Sequence, residues 1–226
     1  MPLSDLISLA PGTRSADRAT TSPQPAHPLD ERWDPLDPSH PLSSVIMQSS
    51  ARNFDDTKKG DAAVMKWSFV TIRLRAQPGG GRAVSYVLGV DLGTTYTGVA
   101  VGRGEHVEMV ALGDRNLVVP AIVFAGPDGS LVTGDAAVRR ALDQPGRSAR
   151  EFKRRLGDPT PLLLGGSPYS PAILMAAVLR AAVARVTEMN GEPPEQIVLT
   201  HPAVWGPYRR EQFEQVPGLS GLLTSP

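Results

Sequence analysis

The chain has 226 residues, enough for one large domain or for one domain with a remainder. Its 23 lysines and arginines balance its 23 aspartates and glutamates, which argues against a nucleic-acid footprint or a polybasic membrane patch. It contains no cysteine, which excludes disulfides, thiolate zinc sites and cysteine nucleophiles and fits a cytoplasmic location.

The chain divides near residue 83. Residues 1–83 carry Pro2, Pro11, Pro23, Pro25, Pro28, Pro35, Pro38 and Pro41 among Ser, Thr, Asp and Arg. No helix or central strand survives such spacing, and too little apolar surface is present to offset the entropy of ordering. A disordered Pro/Ser-rich leader is expected. Residues 65–75 (MKWSFVTIRLR) alternate apolar and polar positions, but a strand without a partner is not stable. Residues 77–82 (QPGGGR) read as a flexible joint. No basic segment precedes an apolar run, so the start is not a secretory signal. A mis-called start is the other reading of the leader, because a GTG start codon would appear internally as a valine such as Val84.

Residues 84–226 are patterned as an α/β unit. Strands are expected at 86–90, 97–101 and 107–112, the first two joined by a turn over 92–95. Further strands are expected at 118–124 and 131–133. Asp135 is a candidate cap for a helix reaching about residue 144, and 148–156 reads as a second short helix. Residues 161–169 read as a loop. Ser170 and Pro171 open a long helix that ends at about Asn190 before Gly191. Arg180 and Arg185 interrupt its apolar run, so it is a buried helix and not a membrane span. A buried strand at 196–200 and a helix at 208–215 complete the pattern.

Two sites stand out chemically. Asp91 lies where a strand meets a Gly-Thr-Thr turn. Glycine lets a backbone approach a ligand closely, and successive turn amides form an anion-binding concavity. A carboxylate beside a phosphate requires a cation between them, which suits a partner of hydrated Mg2+. Taken alone, the same residues also describe an ordinary hairpin turn. Lys153 opens a Lys-Arg-Arg run, which reads either as a solvated basic face or as a lysine reaching a terminal phosphate. No Walker A, GxGxxG or GxSxG pattern is present, and His27, His40, His106 and His201 lack metal-ligand spacing. His201, before Pro202, reads as structural.

Residues 88–101 (LGVDLGTTYTGVAV) resemble the first phosphate motif of the actin-like ATPases, and more narrowly the 70-kDa heat-shock chaperone (DnaK) family. Further segments resemble that family in order: 116–124 (NLVVPAIVF), 132–136 (VTGDA), 151–157 (EFKRRLG) and 197–210 (IVLTHPAVWGPYRR). The resemblance implies an actin-like (ribonuclease H-like) α/β fold, here an incomplete half-domain. It implies that Gly93, Thr94, Thr95 and Tyr96 wrap the β- and γ-phosphates of ATP or ADP. Asp91 would act through water on Mg2+, and Lys153 would be the catalytic lysine. Pro202 would be the switch proline and Arg210 its companion. In the whole protein it implies ATP-driven binding and release of unfolded polypeptide, with co-chaperones as partners. A monomer without nucleic-acid or membrane partners is expected.

The sequence departs from the family pattern in places. His201 stands where the family usually has valine, Trp205-Gly206-Pro207 replaces a more polar stretch, and the chain is short between Leu156 and Pro171. The second phosphate loop, the adenosine loop and the catalytic glutamate of the family do not occur, so ATP turnover by these residues alone is not expected. Two other readings are a sugar or acetate kinase fragment of the same superfamily and a non-enzymatic interaction fragment acting through residues 1–43.

Overall fold

The computed structural model describes residues 67–73, 86–113 and 116–222. The remainder of the expected leader lies outside the described residues. The main element is a six-stranded sheet in the order β1-β11-β2-β3-β4, with β5 also paired to β3. Its strands are β1 (Trp67–Arg73), β2 (Val87–Leu92), β3 (Tyr96–Arg103), β4 (His106–Val110), β5 (Val118–Pro120) and β11 (Gln196–Pro202). β2 pairs antiparallel with β3 but parallel with β11, so the carboxyl ends of β2 and β11 lie side by side.

Period-two alternation sorts the side chains. Leu88, Val90 and Leu92 of β2, with Val99 and Val101 of β3, enter the main core. That core is closed by helix α2 (Pro171–Asn190), whose Leu174, Met175, Leu179 and Val186 are buried. Val87, Ala100 and Val198 occupy the opposite face, the face that Asp91 and Thr200 share by register. Helix α2 begins and ends as its sequence demands. The Ser170 hydroxyl accepts from the Ile173 N–H at 3.2 Å, Pro171 sits in the first turn, and Gly191 stops the helix at φ 78°.

Several expectations need correction. Residues 67–73 were expected to lack a partner, yet all seven pair antiparallel with β11. Without β1, β11 would be an open edge, and open edges seek pairing. The expected strand 118–124 is two strands that serve different sheets. Pro120 has no N–H for a ladder. Ala121 then donates to the Thr95 carbonyl at 2.8 Å, and β6 (Ile122–Ala125) joins a three-stranded sheet between β7 (Leu131–Thr133) and β8 (Ser148–Arg150).

In helix α1 (Gly134–Asp143) the N-cap position is Thr133, not Asp135, and the Thr133 side chain makes no capping hydrogen bond. Asp135 lies in its first turn, where the helix dipole favours a carboxylate. The expected helix over 148–156 is strand β8 followed by a 3-10 turn at Phe152–Arg155. Glu151 separates them at φ 54°, a left-handed conformation no helix interior accepts. The expected loop over 161–169 is a small hairpin of β9 (Leu162–Leu164) and β10 (Ser167–Tyr169), turned at Gly165 and Gly166. After β11 come α3 (Pro207–Glu214) and the short α4 (Val216–Leu219), which packs on α2. No helix among the described residues is long and apolar enough to cross a membrane.

Candidate active site at the carboxyl ends of β2 and β11

Two adjacent parallel strands that end together leave a crevice beyond their carboxyl ends, and ligands of α/β sheets bind in such places. Here Asp91 is the last residue but one of β2 and Thr200 lies near the end of β11. Both are buried, and the Thr200 hydroxyl donates to the Asp91 carboxylate at 3.1 Å. That bond fixes the carboxylate's direction. Thr200 went unnoticed in the sequence because only the parallel register brings it to Asp91.

The turn that follows Asp91 is shaped by Gly93. A Cβ at that position would lie 2.1 Å from the Tyr96 carbonyl oxygen, so no larger residue fits without moving backbone. Thr94 is half-buried, while Thr95 and Tyr96 are exposed. The Thr95 carbonyl is held from behind by the Ala121 N–H. The turn is therefore braced on one side and open to solvent on the other.

Lys153 comes from a separate element, and its charge interacts with that of Asp91. Glu151 in its left-handed conformation reverses the chain after β8, and the 3-10 turn then carries Lys153 inward. The lysine is only 5% exposed. Burial holds its ammonium below the ordinary lysine pKa, and the Asp91 carboxylate partly restores it. Of the two readings of the Lys-Arg-Arg run, the solvated face describes Arg154 and Arg155. Arg154 pairs with Glu151 and Arg155 with Asp158 near the surface, while Lys153 is inside.

An aromatic cluster lines the same end of β11. His201 is buried and stacks on Trp205 at 5.6 Å with an interplanar angle of 13°. Phe213 meets Trp205 edge-on at 5.5 Å. The Lys153 ammonium lies 5.5 Å from the Trp205 ring centroid, and the Arg209 guanidinium 5.8 Å. Burial lowers the His201 pKa, the Pro202 carbonyl raises it, and the positive charges of Lys153 and Arg210 lower it further. Pro202 is half-buried and its carbonyl accepts from the Trp205 N–H at 3.1 Å. Arg210 is exposed.

The structure thus brings Asp91, the Gly93–Tyr96 turn, Lys153 and Pro202 to one end of the sheet, and leaves Arg210 on the surface of α3. Trp205, Arg209 and Phe213 were not singled out as site residues from the sequence. No sequence signal pointed to them, because their approach to Lys153 depends on the fold.

The arrangement has one buried carboxylate, threonine hydroxyls and a buried cation. Among the described residues no group of three or more His, Cys, Asp or Glu could hold a metal directly. A single carboxylate suits a cation that keeps most of its waters, as Mg2+ does, and does not suit an all-protein cage. Turn amides and a buried ammonium are each groups that suit an anion such as a phosphate.

Residues 87–161 match the family model for Hsp70 protein. Over 140 residues, 60% of this chain, the sequence is 29% identical to the Chaperone protein DnaK of Elusimicrobium minutum (strain Pei191). The match spans 23% of that relative's length. The fold is that of a mixed α/β protein with a glycine turn beside a buried carboxylate. By these matches residues 87–161 are similar to the Hsp70 family, in part of its amino-terminal region.

Proposed function

We propose that residues 84–226 are part of an actin-like nucleotide-binding domain of Hsp70 type and bind the phosphates of MgATP or MgADP. The observation that carries this reading is the buried Lys153 ammonium, whose charge interacts with that of Asp91 at the start of the Gly93 turn. Thr94, Thr95 and the turn amides of Gly93 to Tyr96 would donate to the β- and γ-phosphate oxygens. Asp91, oriented by Thr200, would hold waters of the Mg2+ shell. Mg2+, when bound, would supply charge neutralisation at the transferred group. Lys153 would stabilise negative charge on the terminal phosphate and orient the attacking water, in a site where low solvent exposure strengthens each interaction.

In the whole protein, this nucleotide site would drive the binding and release of unfolded polypeptide, with co-chaperones as partners and the cytoplasm as location. Pro202, at the end of β11 beside the aromatic cluster, and Arg210 would pass nucleotide state outward. The family match over residues 87–161 supports this reading.

Isothermal titration of the 226-residue chain with MgADP tests it. Binding is expected for the wild type, with a loss of about 10- to 100-fold in Lys153→Ala, the worth of a charge-assisted phosphate contact. An unchanged Kd in Lys153→Ala would refute the assignment. ADP release that depends on glucose, glycerol or acetate would favour a kinase of the same superfamily.

A further inference from the structure

We infer that Trp205 is a positioning residue for Lys153, braced by His201, Phe213 and Arg209. The inference rests on the proposed phosphate role of Lys153. A buried ammonium on a four-carbon stem tends to bend back toward water. Burial penalises this one more than Asp91 attracts it. An attraction beside that of Asp91 would help to keep it there.

Trp205 is placed to do so. Its ring centroid lies 5.5 Å from the Lys153 Nζ, within the range where an aromatic quadrupole attracts a cation. The choice of an aromatic has a chemical consequence. A second carboxylate would hold the ammonium more strongly, but would also repel an incoming phosphate. A neutral ring attracts the cation and leaves its hydrogen-bond donors for the ligand.

The ring is itself fixed on several sides. His201 stacks on it, Phe213 meets it edge-on, and its own backbone N–H is tied to the Pro202 carbonyl. Arg209 lies 5.8 Å from the same ring and donates through Nε to the Leu156 carbonyl at 3.2 Å. Leu156 directly follows the 3-10 turn that carries Lys153. Arg209 thus ties α3 to that turn, and Trp205 ties the end of β11 to the lysine itself. A shift of α3 or of the β11 end would displace the ammonium.

The test compares full-length wild type with Trp205→Phe, Trp205→Leu and Arg209→Gln. Two readouts report on Lys153 without any ligand. One is the rate of its acetylation by acetic anhydride, followed by peptide mass spectrometry. The other is the ring-current displacement of its ε-methylene proton resonance. The wild type should acetylate slowly and show displaced ε-protons. Trp205→Leu should acetylate about tenfold faster and lose the displacement, as expected for a partly desolvated cation–π contact. Trp205→Phe should retain most of the protection with a smaller displacement, and Arg209→Gln should acetylate about threefold faster. MgADP affinity should follow the same order.

Lysine reactivity and ε-proton shifts unchanged in both Trp205→Phe and Arg209→Gln would overturn the inference. Those two variants decide it even if Trp205→Leu does not fold. A wild-type chain that binds no MgADP would instead remove the phosphate reading, while the lysine measurements would still establish or reject the role of Trp205.

Discussion

The two sides of the candidate site are built on opposite physical plans. The turn from Asp91 to Tyr96 is backbone-made, braced from behind by Ala121 and open to solvent at Thr95 and Tyr96. The Lys153 side is side-chain-made, closed, and carries a cation at an electrostatic cost. Shape governs the first, because a single added methyl has no room. Charge governs the second, because the ammonium is held where water cannot solvate it. Under the proposed function, a multiply charged anion would benefit from both, since the open turn would admit it and the closed lysine would meet it with a weakly screened charge.

The largest break in this comparison comes from the turn. Gly93→Ala pushes a Cβ against the Tyr96 carbonyl, and chemical denaturation should show a loss of about 3 kcal/mol, the upper range for overpacking. A wild-type-like midpoint would mean the turn is softer than its geometry implies. The sheet that supports both sides is tested next. A chain beginning at Trp67 should retain β1 on β11, whereas one beginning at Val84 should lose about 2 to 3 kcal/mol through the missing cross-strand pairs. Equal stability of the two chains would place β1 outside the cooperative unit.

The lysine side should respond with the opposite sign. Replacing both buried charges in Asp91→Asn/Lys153→Met should raise stability by about 2 kcal/mol, since a neutral, well-packed pair avoids the desolvation of two ions. The same double variant should lose MgADP binding, and a drop in its melting temperature would contradict the view that the charges are held at a cost. Glu151→Gly should add about 1 kcal/mol by relieving the left-handed conformation before Lys153. Thermal unfolding of that variant measures whether the reversal stores strain.

The smallest effect is in pH. The folded-state pKa of His201 lies below its ordinary value of 6.5, so the unfolded chain takes up the proton first. Stability from this group is complete above about pH 6.5 and falls as the pH drops from there through its folded pKa. Denaturation of wild type and His201→Gln across this range should show a steeper acid slope in the wild type. Parallel slopes would assign the acid sensitivity to other groups.

Much of this architecture was legible from local chemistry. The Ser170 cap, Pro171 and Gly191 delimit the long helix, because capping depends only on neighbours along the chain. The β2–turn–β3 hairpin follows from apolar runs around a glycine turn, and Asp91, Gly93 and Lys153 stood out by residue type. The helix expected at 148–156 failed because Ser148–Arg150 pairs with β6, a gain that no local pattern registers. The strand at Trp67–Arg73 was visible, but its partner was not, since β11 lies at the other end of the chain.

The sequence by itself determined the residue types of the site and the local elements that carry them. The tertiary structure alone decided which of those residues act together. It placed Thr200 against Asp91 through a parallel register, turned Lys153 inward while its arginine neighbours stayed near the surface, and set Trp205 beside the buried ammonium. The reason is physical. Capping, turns and periodicity act over a few residues, whereas desolvation, cation–π attraction and strand register depend on atoms that only folding brings together.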